Sequence, residues 1–261
     1  MILTFDVGNT ETTAAVFDGE TIRAHWRVTT NLPRTPDEYA LLIRSLVDAD
    51  GMSISSIDGS AICSVVPPVT QTLAAACEDC FGVPPRFIDA RAQLPIRLEV
   101  DEPLTVGADR VANTLAASRI WQRNAIVVDL GTATTYDCIT SDGAFIGGVI
   151  QPGIRTSAET LFRRTSQLAA TELVPPLRVI GTRTDECIRS GVLYGAADSV
   201  DGLVRRIKDE WKVPSPIVIA TGGLAEALQG YCKSFDEVDP FLTLKGVRLG
   251  YELLSAAKSH S

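Results

Sequence analysis

The chain has 261 residues, 45% of them hydrophobic, and 24 basic against 32 acidic residues give a formal charge of −8. That length can bury one large core or two of ordinary size, and the acidic balance argues against a nucleic-acid or anionic-membrane surface, both of which reward a positive field. No stretch approaches the ~18 apolar residues of a membrane helix, and Met1 to Asp6 reads as a strand, without the basic and long apolar regions of a signal peptide.

Ile2 to Val7 is apolar and runs into Asp6-Val7-Gly8-Asn9-Thr10. Glycine lets backbone N–H groups approach a ligand, hydroxyls and amides add donors, and a carboxylate can hold Mg²⁺ directly or through water. Thr12 to Phe17 reads as a second strand, and Asp18-Gly19 as a hairpin turn into a third, Glu20 to Val28. Thr35-Pro36-Asp37-Glu38 has the form of a capping box, followed by Tyr39, Leu42, Ile43 and Leu46 at helical spacing. Ser60 to Val66 reads as a buried strand, Val69 to Phe81 as a helix and Arg86 to Ile88 as a short strand.

The six cysteines are Cys63, Cys77, Cys80, Cys138, Cys187 and Cys232. Most stand in apolar surroundings and read as small buried residues of a reducing cytoplasm. Cys77 and Cys80 have C-x-x-C spacing, but a zinc site needs a second ligand pair, and the only histidines are His25 and His260. The pair reads as helix cysteines.

Glu102 to Asn113 contains Gly107-Ala108-Asp109-Arg110, with Gly107 opening a helix that runs through Trp121. A helix N-terminus presents free N–H groups and a positive partial charge, which favours an anionic group. Arg110 can bind a carboxylate through two parallel hydrogen bonds. Asp109 beside these donors is expected to stay ionised at neutral pH, and an ionised Asp can take the proton of a substrate hydroxyl. A helix cap with a surface ion pair fits the same spacing.

Ala125 to Asp129 is a second apolar strand ending in Asp-x-Gly, here Asp129-Leu130-Gly131-Thr132-Ala133-Thr134-Thr135. Thr134 to Thr140 and Ala144 to Ile150 form a hairpin around Ser141-Asp142-Gly143. Helices are expected at 155–168 and 184–210, a strand at Ile217 to Ala220 ending in Thr221-Gly222-Gly223, and a closing helix at Leu244 to Ala257. Val174-Pro175-Pro176 reads as a loop. The first half follows a β-β-β-α-β-α-β order and the second repeats much of it, each with a cradle on its first hairpin. One Asp-x-Gly can simply be a tight turn; two in the same strand context suggest paired phosphate cradles clamping a nucleoside triphosphate. The pattern resembles the actin-like, acetate-and-sugar-kinase superfold: α/β, two ribonuclease-H-like domains with an interdomain nucleotide cleft, placed here at 1–117 and 118–261.

Asp6 to Thr10, Gly107 to Arg110 and Asp129 to Thr135 together resemble type III pantothenate kinases. The likeness continues through Gly147-Gly148-Val149-Ile150-Gln151-Pro152-Gly153-Ile154, Ile180-Gly181-Thr182-Arg183-Thr184, Ser190-Gly191, Thr221-Gly222-Gly223-Leu224-Ala225 and Asp239 to Gly246. The resemblance implies ATP-dependent phosphorylation of the pantothenate hydroxyl, the first step toward coenzyme A, with Mg²⁺, a monovalent cation (K⁺ or NH₄⁺) and a homodimer. Carried onto matching positions, it makes Asp109 the general base. Gly107, Ala108, Asp109 and Arg110 then line the pantothenate site, with Thr184 reaching it from a second segment. Asp6, Val7, Gly8, Asn9, Thr10, Glu11, Thr12, Thr13 and Thr132 cradle ATP, Asp6 serving Mg²⁺ and Asp129 the monovalent cation. Thr221, Gly222 and Gly223 abut the nucleoside, although a plain strand-to-helix turn explains them equally well.

One position departs from the pattern. Family members often carry a Tyr shortly before the Pro that leads into Gly-Ala-Asp-Arg, and here Val100 stands in that substrate-lining place. A lost phenol removes one hydrogen bond, ~1 kcal/mol or about fivefold in affinity. Val100 also motivates a competing reading, a catalytically weak or inactive nucleotide-binding regulator, since some relatives were described as transcription-accessory factors. The three carboxylates Asp6, Asp109 and Asp129 speak against it. A sugar kinase of the same superfold lacks the Asp-Arg pattern. The sequence has neither G-x-x-x-x-G-K-[ST] nor a His-Arg-Asp loop, which excludes P-loop and protein kinases.

Overall fold

The computed structural model describes residues 1–165, 168 and 170–258; His260 lies outside them, as do Ser166 and Gln167 at the end of the helix expected at 155–168. In chain order the first part gives β1 (Ile2–Val7), β2 (Glu11–Asp18), β3 (Thr21–Thr29), α1 (Pro36–Ala49), β4 (Gly59–Ser64), α2 (Pro67–Phe81), β5 (Arg86–Phe87), β6 (Arg97–Leu98) and α3 (Ala108–Ile120). There follow β7 (Ala125–Leu130), β8 (Ala133–Ile139), β9 (Ala144–Pro152), α4 (Ile154–Arg164), α5 (Thr184–Trp211), β10 (Ile217–Thr221), α6 (Ala225–Leu228), β11 (Glu237–Val238) and α7 (Leu242–Lys258). Two compact units result, one of Met1–Ile120 with Leu242–Ser261, the other of Trp121–Phe241.

In the first unit the sheet order is β3-β2-β1-β4-β5. β1 pairs antiparallel with β2 and parallel with β4, with Asp6 opposite Thr13 and Cys63. Alternation along β1 and β4 fills both faces. Leu3, Phe5, Val7 and Ile62 pack against Ile43 and Val47 of α1 and Leu73 of α2, while Ala61 and Cys63 pack against Val111 and Ala112 of α3 and Val247 of α7. The capping box forms as the sequence suggests: Thr35 N–H donates to Glu38 Oε2 at 2.7 Å, and Glu38 N–H donates to Thr35 Oγ1 at 3.3 Å. α2 starts at Pro67, two residues before its expected start, because proline suits a first turn, where no N–H partner is needed.

α3 and α7 approach closely because small residues meet. A Cβ on Gly246 would collide with the Ala112 carbonyl oxygen, and the Thr243 hydroxyl donates to Asn113 Oδ1 at 2.9 Å in the buried seam. The division expected at 117/118 falls inside α3, and the closing helix packs in the first unit.

Within the second unit the strands run β11-β10-β7-β8-β9. β7 pairs parallel with β10 and antiparallel with β8, and β8 pairs antiparallel with β9. Each unit therefore contains the same arrangement, a three-stranded antiparallel meander whose first strand continues into parallel partners. Ile126, Val128, Tyr136, Val218 and Ala220 form a core with Leu193, Ala197, Val200 and Val204 of α5. Two short elements carried no sequence signal: α6, of four residues, and β11, of two, which Asp236 pins by accepting the Val218 N–H on Oδ2 at 2.8 Å.

Candidate active site

β1 ends at the first turn. Asp6 is half-buried there and Val7 fully buried, so Val7 offers only its backbone. Gly8 N–H donates to the Glu11 carbonyl at 3.1 Å, closing a turn in which Asn9, Thr10 and Glu11 are exposed. A Cβ on Gly8 would stand 3.1 Å from that carbonyl oxygen, so a side chain there requires the carbonyl to give by a few tenths of an ångström. Thr12 faces inward, 1% exposed, and its hydroxyl shares a 2.8 Å hydrogen bond with the Thr30 hydroxyl. Thr13, half-buried, stands opposite Asp6.

Asp109 comes to the same end of this sheet. Val65, just past β4, donates its N–H to the Val7 carbonyl at 3.1 Å, and a Cβ on Gly107 would stand 3.8 Å from Val65 Cγ1. Gly107 thus lies by the strand ends that carry the first turn. Asp109 follows in the first turn of α3, its Oδ1 accepting the Arg110 N–H at 2.8 Å. Burial pushes its carboxyl above the usual aspartate range, and the Arg110 N–H and guanidinium pull it only partway back. The donors are visible in the residues next to Asp109, whereas this desolvation comes from the fold around it. Ala108 is buried and Arg110 half-buried. Val100 is half-buried in a bend after β6, two residues beyond Leu98, which packs on the cluster containing Ala108.

In the second unit β7 carries Asp129 to the matching position, half-buried, opposite Thr135 on β8 and Thr221 on β10. The turn is one residue shorter than its counterpart: Gly131, Thr132 and Ala133 stand between the paired Leu130 and Thr134, whereas four residues separate Val7 and Thr12. Gly131 N–H donates to the Ala133 carbonyl at 3.1 Å, and Thr132 is exposed. Gly222 has φ +89°, and a Cβ there would lie 2.5 Å from Asp129 Oδ1 and 2.7 Å from the Leu130 N. Packing against the Asp129 turn is therefore reason enough for glycine at 222, whereas Gly223 faces open space. Thr221 is 1% exposed and its Oγ1 has no hydrogen-bond partner among the described residues.

Thr184 opens α5 and is exposed. It lines a groove of about 670 Å³ in the second unit with Gln151, Ser157, Leu161, Ile188 and Ser199. The structure thus gathers Asp6, the first turn, Gly107 and Asp109 in the first unit, and Asp129, Thr132 and Gly222 in the second.

Two features escaped the sequence reading. Asp137 is one, fully buried on β8 opposite Val127 and Gly148; its signal was an acid inside an otherwise uncharged strand. The other is the contact of α4 with the Thr132 turn, for which Pro152-Gly153 before a helix was the only cue.

The two meander-and-parallel sheets have the architecture shared by actin-like kinases. A solved ROK hexokinase from Thermus thermophilus superposes with a TM-score of 0.52 at 13% identity, covering 98% of this chain and 99% of that one, which speaks for the fold alone. A family model described as type III pantothenate kinase matches residues 2–206. Two curated relatives carry the same name: one from Roseiflexus castenholzii is 46% identical over 97% of this chain and 99% of its own length, and one from Halalkalibacterium halodurans is 44% identical over the same shares. The chain belongs to the type III pantothenate kinase family.

Proposed function

We propose that this protein transfers the γ-phosphoryl group of ATP to the hydroxyl of pantothenate, giving 4'-phosphopantothenate and ADP and opening coenzyme A synthesis. The observation that carries the reading is Asp109, a carboxylate at the head of α3, beside the strand ends that hold the first turn and more basic than an ordinary aspartate. In the reaction Asp109 takes the hydroxyl proton as the new P–O bond forms, and the bond to ADP breaks. A raised pKa suits that task, because a proton acceptor works best when its pKa approaches the operating pH.

The substrate-facing set is Val100, Gly107, Ala108, Arg110 and Thr184, with Arg110 opposite the pantothenate carboxylate. Phosphate oxygens accept from the donors of Asp6 through Thr13 and of Thr132. Thr12 takes part through its backbone, since its hydroxyl is already bonded to Thr30. Gly222 and Gly223 border the nucleoside.

Cation chemistry fits the residues present. Among the described residues no three His, Cys, Asp or Glu side chains cluster as a metal cage, and Mg²⁺ commonly binds through one or two carboxylates plus substrate phosphates. Asp6 is the carboxylate in place for it. When bound, Mg²⁺ neutralises charge on the phosphates. A monovalent cation, K⁺ or NH₄⁺, takes oxygen donors, and Asp129 with the Thr221 hydroxyl in register beside it, without a partner among the described residues, supplies two.

A homodimer in the cytoplasm completes the reading. Leu177, Val179 and Ile180, near one another in sequence in the second unit, are large hydrophobics left exposed, and side chains of this kind are better suited to a partner than to water. Among the described residues no helix is long and apolar enough to cross a membrane. The curated relatives are named as kinases, which favours the catalytic reading over the regulatory one.

A coupled ADP-release assay with pantothenate, Mg²⁺ and K⁺ tests the proposal. ADP release that depends on pantothenate is expected; an ATPase rate unchanged by pantothenate overturns it.

A further inference from the structure

The second turn is held from behind by the start of α4. The Thr132 carbonyl accepts two hydrogen bonds, from Gly153 N–H at 3.1 Å and from the Thr156 hydroxyl at 2.7 Å. A Cβ on Gly153 would collide with the carbonyl oxygens of both Gly131 and Thr132, so only glycine lets α4 begin this close. Gly153 is the N-cap of α4 and supplies no side-chain cap; the first helical turn is instead tied to the Thr132 carbonyl. The strand leading in is anchored as well. Gln151 donates through Nε2 to Tyr136 Oη at 2.9 Å and accepts the Ser199 hydroxyl on Oε1 at 2.9 Å.

At the first turn the Thr10 carbonyl accepts the Thr30 N–H of the loop after β3 at 3.0 Å. The shorter second turn has fewer residues of its own and takes its support from a side-chain hydroxyl. A peptide unit is planar and trans, so its carbonyl and the following N–H point opposite ways. Drawing the Thr132 carbonyl toward α4 therefore aims the Ala133 N–H away from α4, across the Gly131-Thr132 turn.

We propose that Thr156 is a positioning residue for the nucleotide: with Gly153 it fixes the Thr132 peptide so that the second turn presents its donors to an anionic phosphate. The inference rests on the reading of Thr132 as an ATP contact. It assigns Thr156 no contact with ATP and no part in the chemical step.

The test compares Thr156→Val, which keeps the shape and loses the hydroxyl, with Thr156→Ser, which keeps the hydroxyl. ATP binding is measured by calorimetry, without turnover, alongside the steady-state constants. Thr156→Val is expected to weaken ATP about fivefold, the loss of one ordinary hydrogen bond, and to raise the KM for ATP by a similar factor. The kcat and the KM for pantothenate should stay within about twofold, and Thr156→Ser should restore ATP binding. Wild-type affinity in Thr156→Val overturns the inference, as does equal weakening in both variants or a lowered melting temperature with an unchanged KM. If the wild type binds ATP but does not phosphorylate pantothenate, the proposed reaction fails while the fivefold difference still supports Thr156. If the wild type binds no ATP, both readings fall.

Discussion

Gly107 and Asp109, two residues apart, pack against each other: Asp109 Oδ1 occupies the space that a Cβ on Gly107 would fill. The carboxylate rests in space that glycine leaves open, and the helix N-terminus supplies the N–H that holds it. Gly107→Ala is expected to push the carboxylate out of place and cut kcat about 100-fold, the scale of a misplacement near 1 Å. Circular dichroism should show the fold intact. A kcat within twofold of wild type would mean the Gly107–Asp109 packing does not matter to the reaction.

The upward shift of Asp109 has two consequences with fixed sign. A folded-state pKa above that of the unfolded chain means the native protein holds this proton more tightly. The stabilisation is full below the unfolded value, ~3.9 for aspartate, and is lost as pH rises through the folded one. At pH 7 the ionised carboxylate therefore weighs against folding. Asp109→Asn is expected to melt at a higher temperature than wild type at pH 7, with the difference shrinking as pH falls toward the carboxylate's titration. Scanning calorimetry at several pH values checks this, and a lower melting temperature for the variant at pH 7 would reverse the sign.

The same shift governs the acid limb of the rate profile. Activity requires the ionised base, so kcat/KM should fall with decreasing pH through an apparent pKa above the ~3.9 of a free aspartate. A profile flat down to pH 4 would contradict the assignment of Asp109 as proton acceptor.

α3 is seated on α7 through a glycine. Gly246→Val places branched carbon against the Ala112 carbonyl, and overpacking of this kind costs roughly 1–3 kcal/mol. The expected outcome is a clear drop in denaturation midpoint together with a lower kcat, because α3 carries Asp109. A midpoint equal to wild type would show that the seam relaxes freely.

Thr35→Ala offers a contrast, since the capping box lies on α1 and not on either turn. Loss of an N-cap side chain costs ~1 kcal/mol. Chemical denaturation should register that loss while kcat and both KM values per folded molecule stay near wild type.

How far the sequence reached depends on the range of the interaction. The capping box of Thr35 and Glu38, the hairpin at Asp18-Gly19 and the two Asp-x-Gly turns are local, and their chemistry is visible in a few consecutive residues. The repeated strand order followed from the same local signals used twice. Non-local packing was not legible. Nothing near Gly246 announces Ala112, 134 positions away in the sequence, and nothing near Gly222 announces the carboxylate of Asp129. β11, two residues long, exists only because β10 offers it an edge. The charge state of Asp109 was reasoned from its neighbours in sequence, whereas the desolvation that raises its pKa comes from the fold around it.

The central claim, that Asp109 serves phosphoryl transfer to pantothenate, is tested most directly by label transfer. ATP labelled at the γ-phosphate is incubated with pantothenate, Mg²⁺ and K⁺, with either wild type or Asp109→Asn. Label should appear on pantothenate with the wild type and fall by at least ~100-fold with the variant, both proteins binding ATP alike. Equal transfer by the two proteins, or none by the wild type, would contradict the account.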